Sequence, residues 1–487
     1  MPTGRPFAPA KLLGLVVLAA LAARLAGFGQ SLYGDELYTY GDVVGRGLGD
    51  VFREVEHVED NPPGYFVLAW LAAKLGEPAL TIRLPSLLFG VATVPALYWV
   101  GVKAIGERAA LLGAALFAIS PFAVFYADEA RPYALMTFFV VLAAGLLLAA
   151  VRANRRLPWI AFAACVALAL YSHYTAVFAL AAMGIWAFWT SPAARRPLVL
   201  AYAAAILAFV PWLAISPGTG SFKGFAVLFP FTARNSAEGL ARALVGAPFR
   251  GLRDVPGTAA WLLLAAAVLI AATQLLRPSR LRRPSPELGL VIGLALATPA
   301  GVALYSGAVS SIFAPRNLIA MLPFTCLLAG AVIAALDRPR MLAATGCAVV
   351  GLALGTFATL GDASRRPPWR DAAKAIDGSF RTGDVIGQYQ PFPVSTPGST
   401  RQPLLDSLRA YLDHPERAVQ VDAGNPEDLD RLARGGRRLR LVVGQITGLE
   451  GVPPAPRLDG RFRLLPGRRT WDAFAPVALY DYAIIEP

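Results

Sequence analysis

The sequence predicts an α-helical polytopic membrane protein followed by a soluble α/β domain, and three observations carry that prediction. Hydrophobic residues make up 56% of the 487 residues and charged residues only 16%, against roughly 25% charged in an ordinary soluble domain. Apolar runs of membrane-crossing character recur up to residue 360. Beyond it the composition changes, and residues 361–487 hold 18 basic and 16 acidic side chains. Disorder is thereby excluded, and an ordinary soluble enzyme is disfavoured. Cys165, Cys326 and Cys347 all lie inside apolar runs with no CxxC spacing, so neither a disulfide framework nor a zinc site is indicated. A net charge of +13 would suit nucleic acid, but the positive charge sits at membrane borders, so no nucleic-acid partner is expected.

Crossing the hydrocarbon takes about 17 to 25 apolar residues with few charges. Eleven runs are read as spans, two of them short and meeting at His173: 12–28, 84–102, 109–126, 132–151, 157–171, 174–190, 197–215, 256–276, 288–306, 317–336 and 341–360. The stretch 63–76 is apolar but too short to cross, and it reads as an interfacial helix anchored by Lys74. Arg24 lies inside the first run and is expected to snorkel. That run lacks a small-residue cleavage site, so it reads as a retained helix and not a signal peptide. With the N-terminus inside, the basic loops holding Lys103, Arg108, Arg152, Arg155, Arg156, Arg195, Arg196, Arg277–Arg283, Arg338 and Arg340 all face the cytoplasm, as the positive-inside bias requires. Counting 63–76 as a span would invert them. The domain division expected is therefore a membrane domain over 1–360 and an extracytoplasmic α/β domain over 361–487. In the latter, helices are expected near 369–376, 402–412 and 426–433, and strands near 385–388, 418–422 and 438–446.

In this orientation the unusual polar residues collect at the outer face. Asp35 and Glu36 follow the first run in "SLYGDELYTY"; His57, Glu59 and Asp60 precede the interfacial helix in "EHVEDNPPGYF"; Arg83 lies in "TIRLPS". The next outer turn, "FYADEARPYAL", holds Asp128, Glu129, Arg131 and Tyr133, while His173 and Arg316 mark later ones. Ionisable groups at a hydrocarbon border are costly unless they pair or line a wet cavity, so the cluster is a candidate site. Its chemistry suits glycosyl transfer from a phosphate-linked donor. A carboxylate can take the acceptor hydroxyl's proton, and arginine forks can hold the leaving phosphate.

The order of an acidic pair after the first run, "NPPGYF", "RLPS", "DEARPYAL" and a late outer arginine resembles the bacterial branch of the dolichyl-phosphate-mannose-protein mannosyltransferase superfamily. Relatives there transfer aminoarabinose to lipid A or galacturonic acid to lipopolysaccharide. The resemblance covers residues 10 to about 375, including "PPWRDAAKAI". It implies the GT-C fold, a polyprenyl-phosphate-linked sugar donor, an extracytoplasmic acceptor (protein, lipid or cell-envelope polysaccharide) and inversion at the transferred sugar. It also implies site residues. Asp35 matches the proposed general base and Glu36 its neighbour; Asp128 and Glu129 match a second acidic pair on the acceptor or metal side. Arg83 and Arg316 match arginines near the lipid phosphate, and Asp60 an acidic residue before Pro-Pro. Arg131, Tyr133 and His173 complete the expected substrate-binding set. Asn61 departs from the His or Lys that relatives carry there. These residues fix no cofactor, and a divalent cation is compatible with them, although no His/Cys ligand set is present.

Two other readings compete. A flippase or transporter of lipid-linked sugar would also use many spans with border charges, but no inverted repeat or matched pair of broken helices is visible. An inactive relative that binds a glycolipid is the third.

Overall fold

A computed structural model describes residues 9–153, 155–216, 226, 229–273, 285–361, 366–389, 407–444, 453–473 and 475–485. The basic loop residues Arg277, Arg280, Arg282 and Arg283, and part of the helix expected over 402–412, lie outside the described residues. The chain divides into two compact units. The first comprises Met1–Phe28, Gly45–Lys74 and Ile82–Thr359; the second comprises Gly29–Val44, Leu75–Thr81 and Leu360–Pro487.

In the first unit each of the eleven apolar runs is largely helical over its described residues. Among the described residues, eight helices are long and apolar enough to cross a membrane by themselves. The pair Glu107–Ala118 and Pro121–Ala127, whose two helices meet at 62°, is apolar and long enough to cross when counted as one broken span. The remaining two are the shorter apolar helices Arg156–Ser172 and Ala176–Thr190. The interfacial segment forms only the nine-residue helix Gly64–Ala72, with the Lys74 ammonium 3.3 Å from the centre of the Trp70 ring.

Two features hold these helices in register. Where no water reaches, packing of small residues lets backbones approach. Gly330 of Leu322–Ala334 lies directly against the Ala109 carbonyl and the Gly113 amide of Glu107–Ala118. A side chain at Gly113 would sit 2.8 Å from the Leu327 Cα. The second feature is the treatment of the bend at Ser120-Pro121. Breaking a helix frees carbonyls that must find donors inside the protein. Arg24 Nη1 donates to the Ala118 carbonyl at 2.9 Å, and Thr356 Oγ1 donates to the Ile119 carbonyl at 2.6 Å. The snorkelling expected of Arg24 is therefore corrected. Its side chain is fully buried and also donates to Ala20 O, because the broken helix offers it a carbonyl inside the protein.

The second unit contains a five-stranded sheet. We name its strands β1 (Asp384–Tyr389), β2 (Ala418–Val421), β3 (Arg438–Gly444), β4 (Phe462–Trp471) and β5 (Val477–Ile484), in spatial order β2-β1-β3-β5-β4. β1 pairs in parallel with β2 and β3, while β5 pairs antiparallel with β3 and β4. Alternation decides the two faces. Leu439, Leu441 and Val443 of β3 join Tyr480 and Tyr482 against Leu429 and Leu432 of helix Pro426–Gly435. On the other face Val442, Val477 and Leu479 pack against Trp369, Ala373 and Ile376 of helix Trp369–Asp377. Arg440, pointing to this second face, is buried and donates to the last-turn carbonyl of Ile376 at 2.9 Å. β1, β2 and β3 lie where the sequence puts strands. β4 and β5 do not appear in that reading, and β4 carries Pro466-Gly467 where its pairing with β5 shifts register.

Candidate active site

The first unit gathers most of the expected site residues around the loop that joins helices Pro121–Ala127 and Tyr133–Ala153. This loop is placed by a small residue on the neighbouring helix Leu84–Ile105: a side chain at Gly90 would meet the Ala127 Cβ at 2.5 Å and Arg24 Nε at 3.5 Å. Asp128, Glu129 and Arg131 follow immediately, and all three are buried. The charge of Asp128 acts on the buried Arg24 guanidinium. Pro132 then supplies the carbonyl that accepts from Met136 N in the first turn of the next helix, a position that suits its fixed φ.

Arg131 is held by a forked ion pair. Its Nη1 and Nη2 donate to Glu59 Oε1 and Oε2 at 2.9 and 2.8 Å, and both side chains are about nineteen-twentieths covered. The guanidinium carbon lies 5.5 Å from the Phe66 ring centre. The Arg131 carbonyl lies 3.2 Å from Ser86 Oγ, which donates to Tyr65 Oη at 2.9 Å; Tyr65 in turn donates to the Ile82 carbonyl. Sequence reasoning passed over Glu59 in favour of its neighbour. Asp60 is exposed, whereas Glu59 makes the buried contact. The pairing spans 72 residues, so nothing local in the sequence signals it.

Arg83 is fully buried, and its Nη1 donates at 3.0 Å to the carbonyl of Phe28, the last residue of helix Pro9–Phe28. A cation at a helix C-terminus meets both an orphan carbonyl and the negative end of the dipole.

Tyr133 and His173 face each other with ring centres 5.4 Å apart, and Tyr133 also meets Tyr126 edge-on at 4.7 Å. His173 sits in the turn between Arg156–Ser172 and Ala176–Thr190. Its Nδ1 accepts from Thr175 N at 3.2 Å and lies 2.9 Å from Thr175 Oγ1. Because an amide N–H can only donate, Nδ1 is the unprotonated nitrogen and the ring hydrogen belongs on Nε2. Burial, then the positive charges of Arg131 and Arg316, bring the imidazole down to about 3. His173 is thus neutral at physiological pH, with Arg131 and Arg316 close enough for their charges to act on it. Arg316 is half-buried, at the start of the 3₁₀ stretch Pro315–Met321, with its guanidinium 5.7 Å from the Phe229 ring centre.

Asp35 and Glu36 belong to the second unit, as the first two residues of helix Asp35–Val43. Gly34 ahead of them has φ 57°, a left-handed conformation that suits a residue without a side chain. Asp35 is half-buried. Its charge, after burial itself, pushes the Tyr33 phenol upward. Glu36 is fully buried; Oε2 accepts from Arg366 Nη1 at 2.7 Å and from Tyr33 N at 3.2 Å. Arg366 escaped sequence reasoning although "PPWRDAAKAI" directly after it was noted. Among the described residues no group of three or more His, Cys, Asp and Glu is arranged to hold a metal ion.

Comparison with known proteins agrees with this architecture. Residues 60–215 match a family model described as dolichyl-phosphate-mannose-protein mannosyltransferase. The fold is similar to that of ArnT from Cupriavidus metallidurans, solved bound to undecaprenyl phosphate: TM-score 0.56 at 14% identity, covering 97% of this chain and 98% of that one. It is also similar to the oligosaccharyltransferase of Archaeoglobus fulgidus, solved tethered to an acceptor peptide: TM-score 0.53 at 12% identity, covering 89% of this chain and 68% of that one. No curated protein matches in sequence. The chain has the GT-C fold of multi-pass membrane glycosyltransferases.

Proposed function

We propose that this GT-C chain is an inverting glycosyltransferase that moves a sugar from a polyprenyl-phosphate donor to an acceptor hydroxyl on the extracytoplasmic side. The observation that carries the reading is the convergence of Arg131 and Arg316 on the buried His173 turn, in the same unit as the buried pair Asp128 and Glu129. The half-buried Arg316 guanidinium suits a phosphate anion. The family match over residues 60–215 and the undecaprenyl phosphate held by the structurally similar ArnT point to the same donor class. The bidentate Glu59 contact takes up the Arg131 fork and holds it rigid, so Arg131 orders the site without itself holding the phosphate. Arg316 and Arg83 are the phosphate-holding arginines of this reading. Asp128 and Glu129 shape the acceptor side.

In the transfer step Asp35 takes the acceptor hydroxyl's proton as that oxygen attacks the anomeric carbon. The anomeric C–O bond breaks, and its electron pair leaves on the polyprenyl phosphate. Inversion follows from a single displacement.

The test is incubation of the purified protein in lipid with undecaprenyl-phosphate esters of radiolabelled mannose, glucose, galacturonic acid and aminoarabinose, offered together with extracted envelope acceptors. Sugar should move to the acceptor as undecaprenyl phosphate is released. Asp35→Asn should lower transfer by about 10²- to 10⁴-fold, the usual contribution of a general base, while donor binding is kept. Near-normal transfer by that variant would sink the base assignment. Movement of intact donor across the bilayer with no bond cleavage would establish the flippase reading instead.

A further inference from the structure

We infer that Arg366 is a positioning residue for Asp35, so that the segment following the last membrane span is part of the transfer apparatus. The inference rests on the assignment of Asp35 as the base. It starts from contacts within the second unit. Of the six residues between the first helix and Asp35, four are fastened by the chain after residue 365. Arg366 N donates to Gln30 Oε1 at 2.9 Å, and Arg370 N donates to Ser31 Oγ at 3.1 Å. Tyr411 Oη accepts from Leu32 N at 2.8 Å, and Arg370 Nη1 reaches the Gly29 carbonyl at 3.3 Å.

The Arg366–Glu36 ion pair closes this clamp. The two side chains are 6% and 0% exposed, and Glu36 Oε2 also accepts from Tyr33 N at 3.2 Å. One carboxylate oxygen therefore links the tail's guanidinium to the backbone of the turn, and Asp35 lies between the two residues so joined. A buried charge pair of this kind fixes geometry more than it adds stability. Glu36 acts through its neighbour, without itself touching the reacting atoms. The left-handed Gly34 makes the turn easy to deform once the clamp is opened.

The donor is the undecaprenyl-phosphate sugar that transfers best with the wild type, and steady-state kinetics are normalised to folded protein. Arg366→Ala should lower kcat by about 10- to 100-fold with the donor KM within about threefold, the loss expected from misplacing a catalytic group by an ångström. Arg366→Lys should recover part of that loss because it keeps the charge without the fork. Arg366→Ala added to Asp35→Asn should cost nothing further, since a residue that acts through Asp35 has no effect once the base is gone.

Wild-type kcat in Arg366→Ala, or a full additional loss on the Asp35→Asn background, overturns the inference while leaving the base assignment intact. A loss of activity that merely follows the loss of folded protein overturns it as well. Near-normal transfer by Asp35→Asn overturns the base assignment itself, whatever Arg366 does.

Discussion

At the residue scale, burial separates the polar side chains more sharply than residue type does. Asp60 and Glu59 are adjacent and chemically alike, yet only Glu59 meets Arg131 in a buried fork. In the same way Glu36 is committed to Arg366 while Asp35 stays half-buried. Arg316 gives a first expectation. Both Arg316→Ala and Arg316→Lys lose the fork, but only Ala removes the charge. Ala should therefore raise the donor concentration for half-maximal rate more than Lys does, with kcat less affected if phosphate is bound equally in ground and transition states. Identical donor titrations for wild type and Ala would remove Arg316 from the site. His173 gives a second. Its imidazole is held at about 3 against an ordinary 6.5, so below pH 6.5 the unfolded chain binds a proton that the folded one refuses. Stability is thus lost as pH falls from 6.5 toward 3, at up to about 1.4 kcal/mol per pH unit for one proton. His173→Asn keeps an acceptor for Thr175 N and has nothing to titrate. Its melting temperature should fall less steeply over that window than the wild type's, and parallel curves would refute the assignment.

At the element scale the broken span Glu107–Ala118 and Pro121–Ala127 sets the geometry of the site loop, and its exposed carbonyls are what tie it to its neighbours. Thr356→Val conserves volume but removes the donor to the Ile119 carbonyl. A buried acceptor left unmet costs about 1–3 kcal/mol, so a lowered thermal midpoint in detergent is expected, and an unchanged one would show that the carbonyl finds another donor. Apolar length located this span in the sequence, and Ser120-Pro121 marks where it breaks. Nothing in the sequence pairs Arg24 with Ala118 across 94 residues, because that contact depends on how two helices lie side by side. Likewise β4 was illegible: its Arg, Pro and Gly residues lack the alternation that marks a half-buried strand, and its place is decided by pairing with β5.

At the scale of the whole molecule the expectation to test is sidedness. The positive-inside bias puts Asp128 outside and the 277–283 loop in the cytoplasm. In a background lacking Cys165, Cys326 and Cys347, a cysteine at the exposed outer-loop position 60 should react with an impermeant thiol reagent from the extracytoplasmic side and one at 280 only from the cytoplasm. Reaction of position 60 from the cytoplasm alone would invert the topology and move the proposed site to the other face.

The sequence by itself determined the membrane class, the helical spans and the acidic and basic motifs of the candidate site, because hydrocarbon imposes length and apolarity on each helix separately and each motif is local. Tertiary structure alone decided which of those charges are committed to one another. Arg131 to Glu59, Arg366 to Glu36 and Arg83 to the Phe28 carbonyl are separated by 72, 330 and 55 residues. A buried charge takes whatever partner the packing brings within reach, and no periodicity along the chain records that choice.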